Sequence, residues 1–303
     1  MNTFSVIVPT YNHKDTLQRA LTSILSQAAD TDEVIVIDDA STDNTETLFA
    51  DGYPDTRVRY YRLEKNSGVH EARNKGMELA RGEYLLFLDS DDEFLPGAFD
   101  KVRSVLRDGS VDFVLGSFRT SDGEPSGFDR PDGPFPFKEL LCEEGIQKHK
   151  VMLMCVKKSS VAGIRWEEKN LDFIFTFRVA RHAKTYYLSA PLGIYHTDTG
   201  GGSMTQMRKV PDVSLSIRRA RTLDRFLHDF GASIIERCRY RYGYYAYGAA
   251  VGLLLAGETK KARAYAFQAL RFQPRPRYLF FYLFVLIPAS SRLLRLVFPL
   301  KAR

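Results

Sequence analysis

The sequence has few cysteines and no apolar run long enough to cross a membrane. Three cysteines stand far apart among 303 residues, without a CxxC pair or metal-ligand spacing, which excludes a cysteine-based metal site. The apolar stretch YLFFYLFVLIPA, at 278–289, has only 12 residues, whereas a helix that spans a bilayer needs about 20. The first residues, MNTFSVIVPTYN, lack the basic segment of a signal peptide, so we expect a cytoplasmic protein.

Two common nucleotide-binding motifs are also absent. Neither GxxxxGK[ST] nor GxGxxG follows the first apolar run, where PTYN stands at 9–12 instead. Both motifs use glycine-rich backbone to hold phosphates. Their absence excludes a P-loop and an ordinary dinucleotide site.

Acidic residues are missing from the end of the chain. Residues 259–303 contain no Asp or Glu, and 208–303 carry 19 Lys+Arg against 5 Asp+Glu, while 1–207 carry 24 against 32. This asymmetry predicts two functional regions, which we place at 1–207 and 208–303. A basic region of this kind binds anionic membrane surfaces or nucleic acid.

Short apolar runs alternate with helical patterns over the first half of the chain. Runs at 4–8, 33–37 and 84–88 have the length of buried strands, and helical patterns lie between them, as at 70–81. This alternation predicts an α/β fold with a mostly parallel central sheet flanked by helices. From about residue 212 the chain reads as a helical extension.

Polar clusters follow three of these strands. They are PTYN, DDASTD and DSDD, and the carboxyl ends of parallel strands share one edge of the sheet, where ligands bind. Carboxylates such as Asp89 and Asp91 suit Mg²⁺ or Mn²⁺, with substrate phosphates completing the shell. The alternative is that these acids cap the helix that follows Pro96.

Three segments resemble the motifs of the family 2 glycosyltransferases. They are SVIVPTYNHKDTLQRALTSILSQ, VIVIDDASTDNT and NSGVHEARNKGMELARGEYLLFLDSDD, and the resemblance extends closely over 4–105 and loosely over 150–206. It implies a GT-A fold and an inverting transfer from a nucleotide-diphosphate sugar, usually a UDP-sugar, to a hydroxyl group. It also implies dependence on a divalent cation, Mn²⁺ or Mg²⁺.

The resemblance assigns roles to particular residues. Asp89-Ser90-Asp91 corresponds to the DxD motif, in which Asp91 binds the cation and Asp89 contacts the ribose or the metal shell. The remaining residues expected around the nucleotide sugar are Pro9, Thr10, Tyr11, Asp39, Asn66, Gly68 and Arg73. Packing under the loop for Tyr11 and helix capping for Asp39 are the structural alternatives.

The catalytic base is expected from the segment GIRWEEKNLDFIFTFR at 163–178. The family places a Glu-Asp pair before an apolar helix and an Arg, and counting back from Arg178 puts Asp172 at the Asp position. Leu171 replaces the Glu, so Glu167 and Glu168 are the alternative bases. Asp172 is otherwise the N-cap of the helix.

A later segment, PLGIYHTDTGGGSMT at 191–205, resembles the family's stretch that ends in Gly-Ser. Here His196 is a further candidate for the metal site. Ser203 or Thr205 would donate to the diphosphate. A histidine at a sheet edge is the structural alternative for His196.

The basic tail at 259–303 favours contact with an anionic membrane surface, because its apolar residues alternate with cations. A buried helical hairpin with a basic rim is the alternative, and no nucleic-acid partner is expected because no recognised module is present. We therefore expect a transferase at the cytoplasmic membrane face that acts on a glycan or lipid-linked acceptor of a surface polysaccharide. A sugar nucleotidyltransferase and a non-catalytic nucleotide-sugar-binding scaffold remain alternatives.

Overall fold

The computed structural model describes residues 2–143, 153–167, 172–197, 213–288 and 290–297, and side chains as far as 293. The chain forms two compact units, Met1–Ser203 and Met204–Arg303. The predicted boundary between 207 and 208 lies outside the described residues and stays a prediction.

The first unit is built on an eight-stranded sheet in the order β3-β2-β1-β4-β10-β6-β11-β9. Its four amino-terminal strands are parallel, and β10 runs antiparallel to both of its neighbours. These strands are β1 (Phe4–Thr10), β2 (Glu33–Asp38), β3 (Val58–Arg62), β4 (Tyr84–Phe87), β6 (Phe113–Gly116), β9 (Gly133–Pro134), β10 (Leu153–Lys157) and β11 (Thr185–Leu188).

Helices cover the sheet, and their apolar stripes explain where they sit. The helix α1 (Lys14–Leu25) buries Leu17, Ala20, Leu21 and Ile24, which share one face at helical spacing. On α2 (Val69–Leu79), Gly76 allows close packing, because a Cβ there would lie 2.3 Å from the Ile7 side chain of β1. Among the described residues of this unit, the other α-helices are α3 (Ala98–Leu106), α4 (Phe137–Leu140) and α5 (Asp172–Ala180).

A second sheet has four short strands, in the order β5-β12-β7-β8. They are β5 (Glu93–Phe94), β7 (Phe118–Thr120), β8 (Pro125–Ser126) and β12 (Gly193–Tyr195). The stretch DFVLGSF at 112–118 is therefore divided between two sheets. The division falls at Ser117, whose backbone N–H donates to Leu188 while its carbonyl accepts from Leu192.

The expected fold class, α/β with a largely parallel sheet and a helical extension, is confirmed. The described part of the second unit contains α6 (Val213–Ala256), which breaks its helical geometry at Cys238, α7 (Thr259–Phe272), α8 (Pro276–Leu286) and α9 (Ser290–Val297). Within the described ranges, no helix combines the length and the apolar character needed to cross a membrane.

Candidate active site

The three polar clusters meet at the carboxyl edge of the parallel strands, as the sequence predicted. In the loop after β1, the backbone N–H of Asn12 donates to Ser41 Oγ across 2.9 Å, which ties this loop to the DDASTD cluster. His13 Nδ1 lies 3.0 Å from Ser90 Oγ, which ties it to the DSDD cluster. The parallel register causes this meeting, because it places Thr10 beside Asp38.

Asp39 organises the turn before α2. Its two carboxylate oxygens accept hydrogen bonds from the backbone N–H groups of Ser67, at 2.6 Å, and Gly68, at 2.7 Å. Burial raises the pKa of Asp39 above its ordinary value, although these two hydrogen bonds oppose the shift. Gly68 has a φ of 92°, which favours glycine at this position. Asp39 thus holds Gly68, a predicted nucleotide-site residue, and its neighbour Ser67 in a fixed turn.

The other residues predicted at the nucleotide lie on the same edge. Pro9 and Thr10 are buried at the end of β1, and Thr10 Oγ1 has no hydrogen-bond partner among the described residues. Tyr11 leaves 42% of its surface exposed, so its ring is accessible to a flat ligand such as a nucleobase. Asn66 is exposed in the turn that Asp39 holds.

Arg73 connects the DxD segment to the predicted base. Its guanidinium donates to Asp89 Oδ1 at 2.7 Å, and its Nη1 lies 3.6 Å from Asp172 Oδ1. The guanidinium also stacks over the Trp166 ring, 4.6 Å from its centroid. Arg73 is buried, so its charge is held in place between two carboxylates.

Trp166 forms a buried platform beneath these side chains, with only 2% of its surface exposed. It stacks on Phe175 at 4.1 Å between ring centroids, and Asn74 bonds both its backbone N–H and its carbonyl, at 2.9 and 3.0 Å. Trp166 is therefore a core residue rather than a surface on which an acceptor sugar could stack.

Asp172 begins α5 and leaves 43% of its side chain exposed. Burial works to raise its pKa, but a hydrogen bond with His70 and the charge of Arg73 outweigh that effect and hold the pKa below its ordinary value. Asp172 is therefore an accessible carboxylate at neutral pH, as a general base requires.

The alternative bases are less well placed or lie outside the described residues. Glu167 forms an ion pair with Arg178 at 2.5 Å, which engages its carboxylate. Glu168 lies outside the described residues, as do Ser203 and Thr205.

His70 is a site residue that the sequence reasoning missed. Its Nε2 lies 2.7 Å from Asp172 Oδ1, and its Nδ1 lies 3.1 Å from the backbone oxygen of Glu167. The available signal was helical spacing: His70 precedes Arg73 by three residues on α2, so the two share a face.

The DSDD segment places the carboxyl group of Asp92 close to the charges of Asp89 and Asp91. Asp92 is buried and accepts a hydrogen bond from the His196 backbone N–H at 3.2 Å, while its Oδ2 has no partner in the described part of the chain. Burial, together with the charges of Asp89 and Asp91, raises the pKa of Asp92 to about 9. An arrangement of this kind fits a cation, which would relieve the repulsion.

The residues fit a cation that brings further ligands with it. No group of three or more His, Cys, Asp or Glu side chains within the described ranges is arranged to hold a metal ion. Mg²⁺ commonly takes one or two carboxylates and completes its shell with phosphate and water. His196, the further metal candidate, places its Nε2 3.0 Å from Glu93 Oε1.

These features define an α/β protein whose ligand edge carries carboxylates held by one buried arginine. A sequence model described as Glycosyl transferase family 2 matches residues 5–164, slightly over half of the chain, and the chain belongs to that family.

Curated relatives share this region. The chain is 37% identical over 124 residues to the putative teichuronic acid biosynthesis glycosyltransferase TuaG of Bacillus subtilis, covering 40% of this chain and 49% of TuaG. It is 38% identical over 121 residues to the poly(ribitol-phosphate) beta-N-acetylglucosaminyltransferase TarP of Staphylococcus aureus, covering 39% and 37%. The chain thus spans less than half the length of these relatives.

The fold also resembles a solved structure. Residues 1–349 of S. aureus TarS, in complex with UDP-GlcNAc, superpose with a TM-score of 0.65 at 20% identity, covering 97% of this chain and 92% of that one. At this level of identity, the likeness establishes the fold.

Proposed function

We propose that this protein transfers a sugar from a nucleotide-diphosphate sugar, in particular a UDP-sugar, to a hydroxyl group of a glycan or lipid-linked acceptor in the synthesis of a cell-surface polysaccharide. The observation that carries the proposal is the Arg73 bridge, which holds Asp89 of the DxD segment and Asp172 on one side chain. This bridge supports the proposal, because a single displacement requires the donor and the base to lie close together.

The proposed reaction is a single displacement. The acceptor oxygen attacks the anomeric carbon and forms the new glycosidic bond, while its proton passes to the Asp172 carboxylate. The bond between the anomeric carbon and the diphosphate breaks, and its electron pair leaves with the diphosphate. Attack from the side opposite the leaving group inverts the anomeric configuration.

The other site residues bind and orient the donor. Tyr11 offers an exposed ring for stacking the base, and Asp39 fixes the turn at Asn66 and Gly68 that borders the nucleotide. Asp91 and Asp89 would hold Mg²⁺ or Mn²⁺, which supplies positive charge that stabilises the departing diphosphate. Ser203 and His196 remain candidates for contacts to the diphosphate and the cation.

The names of relatives support the polysaccharide context. TuaG is named for teichuronic acid biosynthesis, TarP for transfer to poly(ribitol-phosphate), and ExoO of Rhizobium meliloti, 44% identical over 100 residues, for succinoglycan biosynthesis. UDP-GlcNAc and UDP, bound in the TarS complexes, are the first donor and product to test.

The decisive experiment is a donor screen by thermal shift, followed by a turnover assay. The correct donor should raise the unfolding midpoint in the presence of Mn²⁺, because a ligand that binds only the folded state stabilises it. Turnover should release a nucleoside diphosphate, whereas pyrophosphate from a nucleoside triphosphate would indicate a nucleotidyltransferase. Undiminished turnover in excess EDTA would refute the metal role of Asp91, and Asp91→Ala should abolish turnover.

The base assignment has its own test. Asp172→Asn should lose transfer, by a factor of 10² or more, while it keeps donor binding, since a general base contributes about 10²–10⁴-fold. Glu167→Gln and Glu168→Gln are the matched variants. If Glu168→Gln loses transfer while Asp172→Asn retains it, Asp172 is not the base.

We also propose that the second unit binds the surface of an anionic membrane. One face of α8 packs inward through Tyr278, Phe281 and Val285, and the opposite face is apolar but exposed, with Phe280 at 74% and Leu283 at 54% exposure. Exposed apolar patches bordered by cations are typical of interfacial helices. The basic residues of 259–303, a region without any acidic residue, supply the charge complementarity to anionic lipid.

A vesicle sedimentation assay tests this second proposal. The protein should sediment with vesicles that contain anionic lipid and remain in the supernatant with purely zwitterionic ones. The double variant Phe280→Ser, Leu283→Ser should reduce sedimentation at least tenfold, because burial of each side chain contributes about 1.5–3 kcal/mol. Tyr240→Ser, which changes an exposed aromatic residue on α6, is the control and should bind as the wild type does.

A further inference from the structure

His70 is a buried side chain whose two ring nitrogens both face acceptor oxygens. Its Nδ1 lies 3.1 Å from the backbone oxygen of Glu167, and its Nε2 lies 2.7 Å from Asp172 Oδ1. The ring also lies beside Trp166, 5.7 Å between ring centroids, so its orientation is fixed by packing as well.

These two hydrogen bonds require one proton more than a neutral imidazole beside an ionised carboxylate carries. A backbone carbonyl only accepts, so Nδ1 must carry a hydrogen to bond Glu167; an ionised carboxylate also only accepts, so Nε2 must carry one to bond Asp172. A neutral imidazole has a single N–H group. The pair therefore consists of an imidazolium facing a carboxylate, or of a neutral imidazole facing a carboxylic acid.

The surrounding charges favour the imidazolium–carboxylate form. The Arg73 guanidinium, 3.6 Å from the same Asp172 oxygen, stabilises the carboxylate, and the pKa of Asp172 is held below its ordinary value. Two further charged groups of the described residues are paired away from the ring. The Glu167 carboxylate pairs with Arg178, and Glu71 on α2 pairs with Arg165.

We propose that His70 is a positioning residue for the transfer reaction, which in its doubly protonated form clamps the base Asp172 through one carboxylate oxygen and leaves the other oxygen to receive the acceptor proton. The proposal rests on the proposed function. Both His70 and Arg73 contact Oδ1, and no side chain in the described part of the chain bonds Oδ2. The clamp thus selects which oxygen is presented to the acceptor.

The clamp has a consequence for the pH dependence of transfer. With one hydrogen fewer, the ring can bond only one of its two acceptors, so it can no longer be anchored at Glu167 and hold Asp172 at the same time. Asp172 then loses its fixed orientation, and a misplacement of about 1 Å costs on the order of 10²-fold in rate. The transfer rate should therefore fall on the alkaline side as the pair loses its proton.

Two substitutions separate the clamp from simple packing. His70→Phe keeps a flat ring beside Trp166 but removes both donors, and it should lower kcat by about 100-fold with little change in the KM of the donor. His70→Gln keeps an N–H donor near the position of Nε2 without titrating, so it should retain kcat within about tenfold and lose the alkaline decline. His182→Phe and His182→Gln, at an exposed histidine after α5, are the matched controls and should match wild type.

Nitrogen NMR of the histidine rings provides a readout that does not need turnover. With ¹⁵N-labelled histidine, and the His70 signals assigned by their loss in His70→Gln, both ring nitrogens should show protonated shifts at pH 7. Asp172→Asn should convert the ring to the neutral form with hydrogen on Nδ1. A neutral ring in the wild-type protein, or a His70→Phe variant with unchanged kcat and pH profile, would overturn the proposal.

Different results would contradict the proposed function and the role of His70. A wild-type protein that turns over no nucleotide sugar overturns the proposed function and, with it, the role of His70 in transfer. The NMR spectrum separately supports or overturns the ion pair. If wild type turns over its donor and His70→Phe does so equally well, only the positioning role fails.

Discussion

Arg73 on α2 donates a hydrogen bond of 2.7 Å to Asp89, which follows β4. The two residues are 16 positions apart, and the contact joins a helix face to a strand end at the ligand edge of the sheet. The arginine head is fixed by its stacking on Trp166 as well as by this bond. The site is therefore pre-organised before a donor arrives.

Replacement of Arg73 by Lys should damage both stability and turnover. A lysine ammonium is a point charge that cannot reproduce the stacked, forked geometry, so one carboxylate loses its partner. We expect a loss of about 1–2 kcal/mol in the free energy of unfolding and at least tenfold in kcat/KM. Urea denaturation and donor turnover measure these effects.

The matched control is Arg165→Lys. Arg165 is exposed and pairs with Glu71 and Glu78, which lie on α2 as Arg73 does. Because exposed ion pairs contribute little, its unfolding free energy should stay within about 0.5 kcal/mol of wild type. Equal losses in the two lysine variants would contradict a special role for Arg73.

Asp39→Ala should release the turn at Ser67 and Gly68. The substitution leaves two backbone N–H groups without their acceptor, which costs about 1–3 kcal/mol when such groups are shielded from water. Donor affinity, measured by calorimetry, should fall at least tenfold because Asn66 and Gly68 lose their fixed position. Asp51→Ala changes an exposed aspartate and serves as the control. Unchanged affinity in Asp39→Ala would remove this turn from the nucleotide site.

Asn74→Leu should destabilise the platform formed by Trp166. Leucine has a similar volume but bonds neither the N–H nor the carbonyl of Trp166, so two buried backbone groups lose their partners. We expect a loss of about 2–4 kcal/mol in the free energy of unfolding. Lys75→Leu, the next residue on α2, should change the stability by less than about 0.5 kcal/mol. A similar midpoint for both variants in urea would contradict the bonding role of Asn74.

Asp92 should make the protein less stable as pH rises. Its pKa lies at about 9 in the folded protein, against 3.8 for an unperturbed aspartate, so between these values the folded protein retains a proton that the unfolded chain has released. The stability contribution of Asp92 is therefore complete below about pH 4 and is lost as pH rises toward 9, with a slope of at most about 1.4 kcal/mol per pH unit.

Asp92→Asn should remove this dependence because an amide does not titrate. Urea midpoints measured from pH 5 to pH 8 in EDTA should diverge, with the variant progressively more stable than wild type. Asp122→Asn, at an exposed loop position, should run parallel to wild type. Parallel curves for Asp92→Asn and wild type would show that the carboxyl group is ionised in the folded protein.

The order of strands and helices in the first half of the chain could be predicted because apolar periodicity is a local property. The buried strands β1, β2 and β4 and the amphipathic helix α1 each carry their pattern within about a dozen residues. The meeting of the polar clusters also followed, because parallel strands necessarily share a carboxyl edge. The antiparallel insertion of β10 did not follow, since it depends on pairing with strands distant in sequence.

Within the site, local sequence was sufficient to identify the carboxylates at strand ends and, through the resemblance, the one that begins α5 as the candidate base. How these carboxylates are held depends instead on contacts between segments distant in the chain. His70 and Asp172 are 102 positions apart, and their contact depends on α2 and α5 packing around Trp166. The burial of Asp92 and of Trp166 also depends on packing. The residue type alone does not tell whether an Asp or a Trp side chain is buried, because burial depends on the segments that surround it in the fold.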